Sequence, residues 1–151
     1  MNHIAPLITP ETTLLDVTFT SKKKLFEHAA ELFAKTRDLK STEVFTSLFE
    51  RERLGSTALG YGIAIPHGRI KGLSEACGAF YRLKTPLEFD APDNQPVSLC
   101  FILLVPKDAN EVHLQILGEL AQLFGDEAMR ERMLQAESVT DLIALLGAWT
   151  S

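Results

Sequence analysis

The sequence predicts an α/β fold, a β-sheet sandwiched between helices. Three observations support this. Apolar residues recur at helical spacing in the first third of the chain and again in the last third. Between those stretches lie strand-like runs at 77–83, 87–89 and 97–105. Turn-forming residues, Pro92-Asp-Asn94 among them, separate the last two runs. A helix buries one stripe and a sheet buries two faces, so helices on either side of a run of strands can cover the sheet completely.

The first 20 residues, with Pro6, Pro10 and several threonines, read as irregular. Ser21 can cap a helix that carries Leu25, Phe26, Ala29, Ala30, Leu32 and Phe33 on one face. The Lys22-Lys-Lys24 run opening this helix opposes its dipole and reads as a solvated end or a small docking patch for an acidic partner. A second helix starts near Ser41 and Thr42, with Val44, Phe45, Leu48 and Phe49 turned inward. It runs out at Leu54 into the loop Gly55-Ser-Thr-Ala-Leu-Gly-Tyr-Gly, and Ile63 and Ile65 then alternate around Ala64 as a short strand. Pro66 has no N–H to donate and ends strand pairing, which leaves His67 where the strand stops. Further on, Asp108 and Glu111 have the spacing of a capping box for a helix reaching Phe124. Gly125 and Asp126 break it, and shorter helices follow at about 127–134 and 139–146.

With 151 residues the chain reads as a single domain, 1–151, large enough for a sizeable core. Its net charge of -5 argues against general nucleic-acid binding, which needs basic surface to displace counterions. No apolar run approaches the roughly 20 residues of a membrane span. Nothing at the N-terminus has the pattern of an export signal, so the expected location is cytoplasmic. Cys77 and Cys100 read as reduced core thiols. The spacing of His3, His28, His67 and His113 fits no zinc site, and the glycine loop matches neither a Walker loop nor a dinucleotide fingerprint. No metal or cofactor is expected.

Three residues stand out as chemistry-bearing. His67, between Pro66 and Gly68 at the end of a strand, lies where ligands of open α/β sheets bind, with one ring nitrogen open as a nucleophile or acid/base. Arg51 follows Val44 by seven residues and Leu48 by three, at the edge of the apolar stripe and tethered by the glycine loop to the His67 segment. Its planar fork suits a phosphate, although pairing with Glu50 or Glu52 would equally account for it. His113 shares a face with Ile116, Leu117, Leu120 and Phe124, the place of a hydrogen-bonded core histidine. Its position near a helix N-terminus also favours a neutral imidazole and a nearby anion.

The run Gly55-Ser-Thr…Gly-Tyr-Gly-Ile-Ala-Ile-Pro-His67-Gly resembles the phosphohistidine signature of the enzyme IIA proteins of the bacterial phosphotransferase system, fructose/mannitol class. The run Thr85-Pro-Leu-Glu-Phe-Asp90…Asp93-Asn-Gln-Pro-Val97…Leu-Leu-Val-Pro106 and the His113-Leu helix start are similar to that family too, so the likeness spans about 21–146. Among its members the nitrogen-regulatory, stand-alone form is the most similar. Ala58-Leu59 departs from the frequent Gly-Ile, and Tyr61 takes a variable position.

The resemblance implies a mixed β-sheet between helices. It implies that His67 accepts phosphate at Nε2, that Arg51 neutralises the phosphoryl group, and that His113 hydrogen-bonds the phosphate or the His67 ring. It also implies a histidine-phosphocarrier protein as donor, docking on an apolar rim made by the glycine loop and the nearby isoleucines. Downstream it implies either regulatory target proteins or, in a sugar-uptake system, a separate enzyme IIB. A binding module whose His67 is never phosphorylated is the third reading.

Overall fold

The computed structural model describes residues 2–108 and 111–150. Two 3₁₀ turns, Ala5–Leu7 and Pro10–Thr12, lead into strand β1 (Thr13–Val17). Helices α1 (Lys22–Arg37) and α2 (Ser41–Arg53) follow, then the short strands β2 (Ala58–Gly60), β3 (Ile63–Ala64) and β4 (His67–Ile70). The long strands β5 (Cys77–Leu87) and β6 (Val97–Pro106) precede helices α3 (Glu111–Gly125), α4 (Glu127–Gln135) and α5 (Val139–Ala148). Six strands form one sheet in the order β1-β5-β6-β3-β2, with β4 also on β6. β1 runs parallel to β5, β5 antiparallel to β6, β3 and β4 parallel to β6, and β2 antiparallel to β3. The sheet is mixed and covered by helices.

Strand β6 shows in its sequence why both faces need cover. Leu99, Phe101, Leu103 and Val105 pack into one core with Ile116, Leu120, Leu123 and Leu142 of the C-terminal helices. Cys100, Ile102 and Leu104 pack into the other core with Phe26, Phe33, Val44 and Leu48 of α1 and α2. Period-two alternation divides one continuous apolar run between two cores. The helices begin as expected where a side chain caps them. Ser21 Oγ accepts from Lys24 N at 3.1 Å, and Asp126 Oδ1 accepts from Ala128 N at 2.9 Å. The Asp108–Glu111 capping box falls across residues 109 and 110, which lie outside the described residues.

Four expectations need correction. The first 20 residues are not all irregular, because β1 pairs with β5 from Thr13↔Phe80 to Val17↔Leu83. Its pairing slips at Asp16, whose φ of 59° is left-handed. A bulged residue of this kind breaks the alternation by which a strand is recognised in a sequence. Secondly, 87–89 is not a separate strand: β5 runs through to Leu87, with an irregularity between Arg82 and Leu87, and Phe89 lies buried just beyond it. Thirdly, the Lys22–Lys24 run is a solvated end only at Lys23 and Lys24, which are exposed, whereas the Lys22 ammonium turns in to the Glu52 carboxylate at 3.0 Å. Finally, the strand that stops before His67 resumes at His67 itself. β3 ends at Ala64 and β4 starts at His67, both along β6, with Pro66 in the gap.

Candidate functional site

The interruption at Pro66 frees one backbone group to act on His67. Leu103 N still donates to Pro66 O at 2.9 Å, and Ile65 N donates to Thr57 O at 3.1 Å. The Ile65 carbonyl instead faces the His67 ring, 2.8 Å from Nδ1. A carbonyl oxygen only accepts, so Nδ1 carries the proton and Nε2 presents its lone pair. Burial pushes the His67 imidazole below its ordinary pKa. The bond to Ile65 and the Glu52 carboxylate work against that shift, while the Arg51 charge adds to it. Burial of the half-exposed ring thus favours its neutral form, and the Ile65 carbonyl favours the tautomer with the proton on Nδ1.

Gly68, the next residue, allows this arrangement sterically. A Cβ at that position would stand 2.3 Å from Ser47 Oγ and 3.1 Å from Ser47 Cβ, so only glycine lets β4 lie this close to α2. Ser47 Oγ donates to Arg69 O at 3.0 Å and ties the helix to the strand. The loop before β3 is pinned as well: Tyr61, with a left-handed φ of 56°, donates its N–H to Asp93 Oδ2 at 2.9 Å.

Arg51 and His113 come to the same place from different elements. A cavity of about 530 Å³ opens between the last turn of α2, strand β4 and the first turns of α3. His67, Arg51 and His113 all line it. Arg51 Nη1 donates to Gly55 O at 2.9 Å, so the guanidinium closes the end of its own helix. It does not pair with its acidic neighbours: Glu50 meets Arg53 and Glu52 meets Lys22. Leu103 and Val105 of β6 form the buried floor. The cavity thus sets a ring nitrogen with a free lone pair, a permanent cation and a second imidazole against an apolar wall. That combination suits an anion, because a desolvated charge interacts more strongly there than in water.

The rim differs from the expected one. Ile63 and Ile65 are buried in the core under β3. The exposed apolar residues at the cavity mouth are Leu54 at the end of α2 and Leu114 at the start of α3, 86% and 63% exposed. Sequence reasoning placed both only as helix ends, since an end position does not show in a sequence whether a leucine faces the core or solvent. It also passed over Glu52, which is buried and accepts from Thr57 N at 3.1 Å and from Thr57 Oγ1 at 2.5 Å. Its signal was present: Val44, Leu48 and Glu52 are spaced by four, which puts a carboxylate on the inward stripe of α2.

Comparison with known proteins bears on the fold and the family. Residues 6–148 match the family described as phosphoenolpyruvate-dependent sugar phosphotransferase system, EIIA 2. A nitrogen regulatory protein of Klebsiella oxytoca is 40% identical over 145 residues, covering 95% of this chain and 90% of that protein. The crystal structure of nitrogen regulatory protein IIA-Ntr from Neisseria meningitidis superposes with a TM-score of 0.91 at 45% identity, covering 96% of this chain and 99% of that one. The mannitol IIA of Escherichia coli shares the fold, with a TM-score of 0.77 at 24% identity over 92% of this chain and 98% of that one. A mixed sheet closed by helices, a family match over nearly the whole chain and a relative at 40% identity lead to one conclusion: the chain belongs to the EIIA 2 family of the phosphoenolpyruvate-dependent sugar phosphotransferase system.

Proposed function

We propose that this protein is a regulatory phosphocarrier, in which His67 Nε2 accepts a phosphoryl group from a histidine-phosphocarrier protein and the modified state changes binding to target proteins. The observation that carries this reading is the Nδ1–H bond of His67 to Ile65 O, which leaves Nε2 unprotonated in a cavity lined by Arg51 and His113. In the transfer, the P–N bond of the donor's phosphohistidine breaks, and its electron pair stays on the donor ring. The new P–N bond forms from the Nε2 lone pair, in line with the bond that breaks. The proton stays on Nδ1, donated to the Ile65 carbonyl, which faces the ring as it gains positive charge. Arg51 neutralises the equatorial phosphoryl oxygens and His113 hydrogen-bonds them, the preorganised stabilisation that such transfer needs. Leu54 and Leu114 supply the apolar rim for a partner that has to dock and leave quickly.

A phosphate at this mouth adds close to two negative charges, enough to make or break an interface. The regulatory role is favoured by relatives that carry the name nitrogen regulatory protein at 40% identity or more. The alternative, a sugar-uptake IIA that hands its phosphate to a separate IIB, uses the same chemistry with a different acceptor.

The deciding experiment is phosphoryl transfer from phosphoenolpyruvate through the upstream carriers, read by intact mass and by acid lability of the adduct. Wild type gains one acid-labile phosphate and His67→Ala gains none. Arg51→Ala is slowed by about 100-fold or more, the usual effect of removing one oxyanion-stabilising group. A folded wild-type protein left unlabelled by competent donors overturns the reading in favour of a plain binding module. Transfer onward to an enzyme IIB would favour the sugar-uptake role.

A further inference from the structure

Behind the cavity, a line of hydrogen bonds runs from a buried ion pair to the His67 ring. Lys22 Nζ meets Glu52 Oε2 at 3.0 Å. The Glu52 carboxylate takes both donors of Thr57, the backbone N–H at 3.1 Å on Oε2 and the hydroxyl at 2.5 Å on Oε1. Thr57 O accepts from Ile65 N at 3.1 Å, and Ile65 O accepts from His67 Nδ1 at 2.8 Å. Every side chain in the line before the histidine is shielded, with Lys22 23% and Glu52 5% exposed and Thr57 buried. A carboxylate withdrawn this far from water is costly unless its oxygens are satisfied, and these are satisfied by Lys22 and Thr57. None of these three residues lines the cavity.

We propose that Glu52 is a positioning residue for His67: by fixing Thr57 it fixes Ile65, whose carbonyl holds the imidazole as its Nδ1–H tautomer with Nε2 turned to the cavity. This rests on the phosphocarrier reading for its consequence, since a fixed tautomer matters only where Nε2 acts as nucleophile. The physical reasoning is general. Ring orientation and tautomer are set by the partner of the other nitrogen, and that partner is only as fixed as its own supports. Without the Glu52 carboxylate, Thr57 loses its anchor to α2, while Gly55 stays held by Arg51. The Ile65 carbonyl can then drift, and the ring can flip or change tautomer.

The test compares Glu52→Ala, Glu52→Gln and Thr57→Val with wild type. One readout is the His67 tautomer, from long-range nitrogen–proton spectra of the unphosphorylated proteins. The other is the single-turnover rate of phosphorylation by a phosphorylated histidine-phosphocarrier donor. Glu52→Ala is expected to populate the Nε2–H tautomer and to lose roughly 10- to 100-fold in rate, as when an outer partner of a functional histidine is removed. In Glu52→Gln the amide oxygen can accept from Thr57 N and Lys22 while the amide nitrogen donates to Thr57 Oγ1. The tautomer and most of the rate should therefore return. Thr57→Val, nearly isosteric and expected to fold, should lie between the two.

An unchanged tautomer and wild-type rates in Glu52→Ala and Thr57→Val would overturn the proposal. So would Glu52→Gln behaving like Glu52→Ala, which would assign the effect to charge rather than to positioning. Should Glu52→Ala fail to fold, Thr57→Val and Glu52→Gln decide between them. If wild type accepts no phosphate, the phosphocarrier reading fails, while the tautomer spectra still decide whether Glu52 positions His67.

Discussion

His67 shows how one residue's chemistry is set by its immediate neighbours. Its pKa is depressed chiefly by burial, and Arg51 adds to the shift. In the unfolded chain the same imidazole titrates near its ordinary value, about 6.5. Between the lowered folded value and that figure, only the unfolded chain binds the proton. This group's contribution to stability is therefore complete above about pH 6.5 and declines as pH falls toward the folded value. The same shift keeps Nε2 unprotonated in mildly acid solution. An NMR titration of the His67 ring should show a midpoint below 6.5, and the initial phosphorylation rate should hold level down to that lower midpoint. A midpoint at or above 6.5 would contradict the account. The tautomer itself could not be read from the sequence. It depends on the Ile65 carbonyl, freed because Pro66 interrupts the ladder between β3 and β4.

At the scale of elements, Arg82 joins pieces that sequence reasoning treated separately. It is a buried arginine in the middle of β5, forked onto Asp16 at 3.0 and 2.9 Å. Its Nη1 also donates to the carbonyls of Met133, Leu134 and Ala136 at the end of α4, at 3.1, 3.3 and 2.6 Å. Those are carbonyls with no partner inside their own helix, and a cation suits the negative end of the helix dipole. Arg82 hydrogen bonding holds the Asp16 carboxyl below its usual pKa. The bulge that hid β1 from the sequence reading aims Asp16 at this arginine. Arg82→Met should cost about 2–4 kcal/mol in urea unfolding, because buried carbonyls lose a charged donor. A loss under about 0.5 kcal/mol, the level of an ordinary surface change, would show the fork to be incidental. The helices, by contrast, could be read residue by residue. Leu25, Phe26, Ala29, Ala30 and Phe33 recur at helical spacing and lie buried on one face of α1.

For the molecule as a whole, the sheet separates two cores that share no buried residue among the described residues. Phe33 belongs to the core beneath α1 and α2, Leu120 to the core beneath α3, α4 and α5, and neither is exposed. Phe33→Ala should cost about 3–5 kcal/mol and Leu120→Ala about 2–5 kcal/mol, the range for emptying a packed site. The double variant should lose close to the sum, because opposite faces of a sheet share few partners. Equilibrium unfolding of the three variants measures this directly, and a double variant no less stable than the worse single one would show that the two cores collapse as one unit. The sequence made this layered plan legible through helical periodicity at both ends of the chain and the strand-like runs, 97–105 among them, between. The meeting of Arg51, His67 and His113 in one cavity depends on how α2 and α3 cross the end of β6. That crossing is a long-range property, which periodicity does not encode.

Strand β4 lies against β6 on one side only, and its outward-facing backbone could in principle recruit a strand from another molecule. Helix α2 narrows that opportunity, since the Ser47 hydroxyl occupies the Arg69 carbonyl and Gly68 lets the helix lie directly on the strand. On the phosphocarrier reading, a visiting protein finds the Arg69 carbonyl already taken and meets side chains such as Leu54 and Leu114 at the cavity mouth. Recognition by side chains alone favours brief encounters, whereas an added strand would tend to hold its partner in place. On that reading, the serine on α2 helps decide how long a partner stays.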